Sequence, residues 1–206
     1  MWALVESNTV TQVYTRPKNL ELESGNYSSS IFTTYTPEGL QAIGIYEVVL
    51  DNSNFKNKEY YINTNQTFEF ADGVVTASYG TATARAIADT LYTAQDETDG
   101  FGTEGEVGSR GLTYNHKKAI NQQAGALLQE TDWMVIRAAE GGTAVPSDIT
   151  TWRAAVRTKA NAMQAQIDGA TDVDALAALY VYTYADPDDL TSARTRPLGE
   201  FPTLEG

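Results

Sequence analysis

The side chains of this chain that could perform chemistry form few useful combinations. His116 is the only histidine and there is no cysteine, so a catalytic triad or histidine-based metal cluster would have to be built around this residue. It precedes Lys117-Lys118 in a predicted helix, without a His-x-x-x-His pair or a serine elbow. We therefore interpret His116 as a solvent-facing or capping residue, and expect no catalytic residue, metal or cofactor.

Acidic residues are numerous, but their spacing matches no known site. The densest group stands among glycines and comprises Asp96, Asp99, Glu104 and Glu106. This group lacks the Asp-x-Asp-x-Asp-Gly spacing and closing Glu of a calcium loop. The glycines between 100 and 108 also do not follow a strand and open a helix, as phosphate binding requires. Glycoside cleavage needs a pair of carboxylates. In a chain with 27 acidic residues, the presence of two carboxylates is no evidence for a glycosidase.

Composition restricts the classes of partner. The 206 residues carry a formal net charge of −13 and include no cysteine, which argues against nucleic-acid binding because phosphates require clustered Lys and Arg. The sequence shows no signal-like opening and no apolar run of membrane-spanning length. We expect a folded protein made in a reducing cytoplasm, with protein partners rather than a membrane or nucleic acid.

Two predicted helices position the bulkiest candidate interaction residues. The first should run from Tyr114 to Gln129 and be ended by Thr131-Asp132, just before Trp133. The second should begin at Pro146-Ser147-Asp148. Its apolar residues recur every three or four positions: Ile149, Trp152, Val156, Ala160, Met163 and Ile167.

This spacing predicts an antiparallel helical hairpin in which Trp133 and Trp152 pack near the connection. Arg153 and Arg157 should then lie on the polar face. Core packing and partner binding are both open interpretations of the two tryptophans. The arginines are interpreted either as a solvated face or as a grip on an acidic partner.

The N-terminal part is expected to be mainly antiparallel β-structure. Ser7-Asn8-Thr9 separates two short strands, and Asp72-Gly73 is the strongest hairpin signal of the chain. Thr36-Pro37-Glu38 should begin a short helix that Gly44 ends. Residues 81–93 are alanine-rich and predicted to be partly helical, with continuation of the preceding strand through 81–84 as the alternative.

These elements predict an α+β protein in four parts. Residues 1–93 form a β-rich module, 94–110 a glycine-rich acidic linker or long loop, and 111–184 a helical module with a third helix after Thr171-Asp172. Residues 185–206 should be an extended arm, because of their prolines. Leu198 and Phe201 on this arm are candidate docking residues, and packing of the arm on its own domain is the alternative.

The order of these motifs resembles a known class of proteins. Leu127-Leu128, then Thr131-Asp132-Trp133, a variable loop and a helix with Trp152-Arg153 near its start resemble the tail-assembly-chaperone-like and tail-fibre-associated proteins of tailed bacteriophages. The run from Met1 to Val13 resembles the opening hairpin of such proteins. Segments 42–49 and 60–64 resemble segments of marine phage tail proteins.

The resemblance implies a non-enzymatic protein of the virion tail, synthesised in the host cytoplasm. It would be a protein–protein adaptor in the tail-fibre or baseplate region, in contact with fibre, baseplate or tail-tube proteins or with a symmetry mate. A tail-fibre assembly chaperone, absent from the mature particle, is the first alternative. A glycan-binding or glycan-cleaving receptor module is the second. The expected partner-binding residues are Trp133, Trp152, Arg153, Arg157, Leu198 and Phe201.

Overall fold

The computed structural model describes residues 1–204 and shows an α+β protein, as predicted. The chain divides into two compact units, Met1–Thr83 and the part that begins at Ala84. The division therefore falls before the predicted linker at 94–110. Because the strands concentrate in the first unit and the long helices in the second, each unit has its own type of core.

The first unit is built on a five-stranded sheet. Its strands, in the order β2-β1-β5-β8-β7, are Thr9–Tyr14, Trp2–Glu6, Ile45–Asp51, Val74–Tyr79 and Gln66–Ala71. All neighbours are antiparallel except β5 and β8, which are parallel. The smaller elements are β3 (Leu20–Leu22), β4 (Gly25–Tyr27), α1 (Ile31–Thr34), α2 (Pro37–Gln41) and β6 (Tyr61–Ile62), and β9 (Thr83–Ala84) spans the boundary between the units.

Local turn chemistry explains the two tight hairpins. Ser7 and Asn8 have φ values of 51° and 62°, and Asp72 and Gly73 have 51° and 77°. Two successive positive φ values are typical of the type I′ turn, whose twist matches that of paired strands. The predicted turns between β1 and β2 and between β7 and β8 are confirmed.

Alternation along the strands gives the sheet two apolar faces. Trp2 and Leu4 of β1 pack into one cluster, while Ala3 and Val5 pack into another. The first cluster is covered by α1 and α2, and the Trp2 and Phe32 rings lie 4.7 Å apart. The predicted start of α2 is confirmed, because the Thr36 side chain accepts a hydrogen bond from the Gly39 amide.

The segment from residue 81 to residue 110 has a structure that differs from prediction. Residues 81–93 contain only the short strands β9 and β10 (Thr90–Leu91), so their predicted helix is wrong. The expected linker carries α3 (Ala94–Thr98) and β11 (Val107–Ser109), which pairs with β10. Thr93 and Asp96 form a capping box at the start of α3. These local hydrogen bonds give order to a segment with little apolar content.

A helical hairpin dominates the second unit. It consists of α4 (Leu112–Ala139) and α5 (Ser147–Asp168), followed by α6 (Val173–Ala178). The predicted start of α5 and the Asp172 cap of α6 are confirmed. The predicted end of the first helix at Thr131-Asp132 is wrong, since α4 continues to Ala139 and is about 42 Å long.

The C-terminal residues fold back onto the helices of the second unit. Strand β13 (Arg194–Thr195) lies in the predicted irregular arm and pairs with β12 (Thr183–Tyr184) just before that arm. Beyond it, Leu198 is fully buried, and its amide donates a hydrogen bond to the Leu179 carbonyl. Of the two interpretations of the arm, the structure shows packing on its own unit.

Candidate protein-interaction site

Arg153 joins the two long helices from the inside of the hairpin. Its Nη1 donates to the Leu128 carbonyl at 2.7 Å and to Thr131 Oγ1 at 2.6 Å, and its Nη2 donates to Asp132 Oδ1 at 2.6 Å. Arg153 is only 6% exposed, so its predicted place on the polar face is wrong. A buried guanidinium needs such acceptors, because an unpaired charge is costly away from water. Thr131 and Asp132 therefore bind α5 instead of ending α4.

Trp152 is also a structural residue of the second unit. It is buried, and its Nε1 donates to the Pro202 carbonyl at 3.0 Å. Farther along α5, Lys159 Nζ donates to the Leu198 carbonyl at 2.9 Å. These two hydrogen bonds fasten the C-terminal residues to α5. Phe201, which lies between Leu198 and Pro202 in the sequence, is half-buried. The side chains of Trp152, Leu198 and Phe201 offer little free surface to a partner.

Trp133 occupies a different environment from the predicted one. It is 53% exposed on α4, so of its two interpretations core packing is wrong. The Arg137 guanidinium lies over the Trp133 ring, 4.8 Å from its centroid. Ile136, one turn farther along, is 58% exposed. Tryptophan and arginine are the residue types most enriched where interface energy concentrates.

An uncharged stripe extends from this pair along the outer face of α4. Its members are separated alternately by three and four residues and all are exposed: Ala119, Gln122, Ala126, Gln129, Trp133 and Ile136. This is the spacing of a helix-packing seam. We call these six residues the α4 stripe. The same spacing is visible in the sequence, but the sequence does not distinguish this stripe from an ordinary helix surface. The structure distinguishes it, because α5 covers the opposite side of α4.

Of the two predicted basic residues, only Arg157 remains on the surface. It is exposed on α5 and forms no hydrogen bond or ion pair within residues 1–204. The structure thus separates the predicted interaction residues into buried, half-buried and exposed sets. Trp133 and Arg157 are the exposed ones, and they lie on different helices.

His116 is buried in the second unit, contrary to its predicted solvent-facing or capping role. Its Nδ1 lies 2.8 Å from the Tyr180 hydroxyl, and the two rings are tilted against each other. This bond joins α4 to the residues just after α6. A hydrogen-bonded imidazole next to a tyrosine is a satisfied core group. Within residues 1–204, no group of three or more His, Asp or Glu side chains could hold a metal ion.

A groove of about 800 Å³ lies near the start of α4 in the second unit. Its rim contains the ion pair of Lys117 with Asp168 and the hydrogen bond from Gln164 Nε2 to Asn121 Oδ1. Much of its polar lining is therefore paired within the chain. No helix among the described residues is both long enough and apolar enough to cross a membrane.

Comparison with protein-family models, with curated proteins and with solved structures finds no match to this chain. The candidate interaction site consists of the α4 stripe with the stacked Trp133–Arg137 pair near its C-terminal end.

Proposed function

We propose that this chain is a structural, non-enzymatic component of a bacteriophage tail, acting as a protein–protein adaptor in the tail-fibre or baseplate region. The observation that carries the adaptor role is the exposed Trp133 with Arg137 stacked on it and Ile136 beside it. A large exposed apolar side chain on a rigid helix is typical of a binding surface. The tail setting is supported by the resemblance of the motifs from Met1 to Trp152.

The division of labour between residues supports the same proposal. Arg153, Trp152 and Leu198 are engaged in holding the second unit together. The α4 stripe is not needed for that packing, since it faces solvent. A helix with one face in the fold and a second, uncharged face exposed presents a rigid docking edge to another protein.

Quantitative mass spectrometry of purified virions tests the tail role. We expect the chain in stoichiometric amount with the tail proteins. Its absence from virions, together with its recovery bound to free fibres in infected cells, would instead establish the assembly chaperone. Retention of glycan by the purified chain would favour the receptor module.

Complementation with a Trp133→Ala variant tests the adaptor surface in the same system. We expect the variant to fold, because this ring is largely outside the core, but to be lost from purified particles. Leu190→Ala is the matched control, since Leu190 is 72% exposed and lies outside α4. Normal incorporation of the Trp133→Ala variant would contradict the proposed surface.

A further inference from the structure

We propose that two copies of this chain pair through their α4 helices, in an antiparallel crossing centred on Trp133. The proposal rests on the proposed function, because it identifies a second copy as the occupant of the α4 stripe. It is argued from the charges that flank the stripe and from the symmetry that such charges require.

Glu130 and Arg137 flank Trp133 on one side of the helix. Glu130 comes three residues before Trp133 and Arg137 four residues after it. At about 100° per residue, both lie roughly 40–60° from Trp133 in the same direction around the axis. Their midpoint along the helix therefore falls at Trp133. Ile136 and Gln129 lie on the other side of the stripe.

Among the residues that the structure describes, neither flanking charge is paired with an opposite charge. Within residues 1–204, Glu130 and Arg137 form no ion pair and no side-chain hydrogen bond. The Arg137 Nε is buried without an acceptor among the described residues, and the guanidinium lies over the Trp133 ring. The outer nitrogens of this guanidinium are thus available to a carboxylate that approaches the stripe.

A two-fold axis through the Trp133 contact supplies that carboxylate. In an antiparallel pair, residues equally far before and after the centre meet each other, and each flank meets the same flank of the partner. Glu130 of each copy then lies opposite Arg137 of the other, which creates two reciprocal ion pairs. The tryptophan rings meet between them, and Ile136 and Gln129 cover the opposite side.

The same charges disfavour a parallel pair. A parallel in-register arrangement places residues of equal number at the same height, so Glu130 and Arg137 of opposite copies remain about 10 Å apart along the axis. The net charge of −13 also repels copies of the chain from each other. The uncharged stripe is a place where two acidic copies can approach closely without burying like charges.

Sedimentation equilibrium of the full chain over a wide concentration range tests the pairing. We expect a reversible dimer with a dissociation constant of about micromolar order, because one helix crossing forms a small interface. Glu130→Arg and Arg137→Glu should each weaken the dimer at least about tenfold, since each brings like charges together. Trp133→Ala should abolish it.

Exchange of the two charges tests whether Glu130 and Arg137 of opposite copies form the ion pairs. An equimolar mixture of the two single variants should form a heterodimer, and the double variant E130R/R137E should recover the homodimer. Arg157→Glu is the matched control, because it reverses the same charge on an exposed face of α5 and should leave association unchanged. Circular dichroism of every variant verifies that the helices are retained.

A single cysteine tests the direction of the crossing, since the chain has none of its own. In the antiparallel pair the Ala126 positions of the two copies lie about 20 Å apart, too far for a disulfide. Ala126→Cys should therefore not cross-link under oxidising conditions. Rapid cross-linking at Ala126 would establish a parallel pair and overturn the proposal.

A chain that stays monomeric at all concentrations would also overturn it, as would a dimer insensitive to both charge reversals. These outcomes are separate from failure of the tail role. A monomer found in virions leaves the adaptor function intact. A dimer absent from virions leaves the pairing intact and removes the tail role.

Discussion

Arg153 on α5 donates a hydrogen bond from its Nη1 to Thr131 Oγ1 on α4 at a distance of 2.6 Å, and this contact lies inside the helical hairpin. The same nitrogen also donates to the Leu128 carbonyl, while Nη2 is paired with Asp132. One guanidinium thus satisfies three acceptors on the neighbouring helix. The Thr131-Asp132 pair that was predicted to end the first helix therefore forms a polar link from α4 to α5.

Replacement of Arg153 should therefore destabilise the second unit. Arg153→Met keeps most of the side-chain length but removes the donor to Thr131 Oγ1 and to Asp132, and one of the donors to the Leu128 carbonyl, which still accepts from Thr131 Oγ1. We expect a loss of about 2–3 kcal/mol in the free energy of unfolding. Urea denaturation followed by tryptophan fluorescence measures it. Arg157→Met, at an exposed position of the same helix, should change stability by no more than about 0.5 kcal/mol. Equal effects of the two substitutions would contradict the assignment.

Among the C-terminal residues, the Leu198 side chain should contribute to the free energy of unfolding, whereas the Leu190 side chain should not. Leu198 is fully buried, so Leu198→Ala should cost about 2–4 kcal/mol through lost burial and a residual cavity. Leu190→Ala removes the same atoms from an exposed site and should have an effect below about 0.5 kcal/mol. Thermal and urea unfolding of the two variants provide the comparison. A silent Leu198→Ala variant would mean that these residues do not pack on the second unit in solution.

Asp89 should make the second unit sensitive to acid. Its carboxylate accepts hydrogen bonds from the Gly111 amide at 2.8 Å and from Arg110 Nη1 at 2.6 Å. The Gly111 hydrogen bond first, and then the Arg110 guanidinium, hold the pKa of Asp89 below its ordinary value. Because the folded pKa lies below the unfolded one, this carboxylate stabilises the fold above about pH 4 and loses that effect as the pH falls through the folded pKa.

The test of this linkage is the pH dependence of unfolding in an Asp89→Asn variant. The variant should be less stable than the wild type at neutral pH, and the difference should shrink as the pH falls below about 4. Glu106→Gln, at an exposed position of the same segment, serves as the charge control. A difference between Asp89→Asn and wild type that is constant across pH would disprove the role of ionisation.

The segment 94–110 should resist proteolysis in the wild type more than its composition suggests. The Tyr92 amide donates to the Glu106 carbonyl, and the Thr93 side chain caps α3. Thr93→Ala removes this cap, at about 1 kcal/mol of local stability, so cleavage by a glutamyl endopeptidase should accelerate about fivefold. Thr103→Ala provides the control, since the Thr103 side chain makes no hydrogen bond within the described residues. Equal cleavage rates would argue for a structureless linker.

The sequence alone was sufficient for several features whose interactions are local. The turns at Ser7-Asn8 and Asp72-Gly73, the start of α2 at Thr36 and the cap of α6 at Asp172 were all predicted correctly. In each case the backbone conformation or the capping bond involves residues no more than three positions apart. The α+β class follows for the same reason, since strand and helix periodicities are local patterns.

The tertiary structure decided what depends on distant partners. Thr131 was predicted to end the first helix, yet α4 runs through it, and its hydroxyl accepts a hydrogen bond from Arg153, far along the chain. The sequence near His116 does not reveal which residue it contacts, whereas the structure places Tyr180 against it in the second unit. Trp133 and Trp152 are the same residue type on adjoining helices, and only the packing of α5 and the C-terminal residues places one at the surface and the other inside. Residue type and spacing specify local conformation and apolar content, whereas burial of a given side chain is fixed by the segments that long-range packing brings against it.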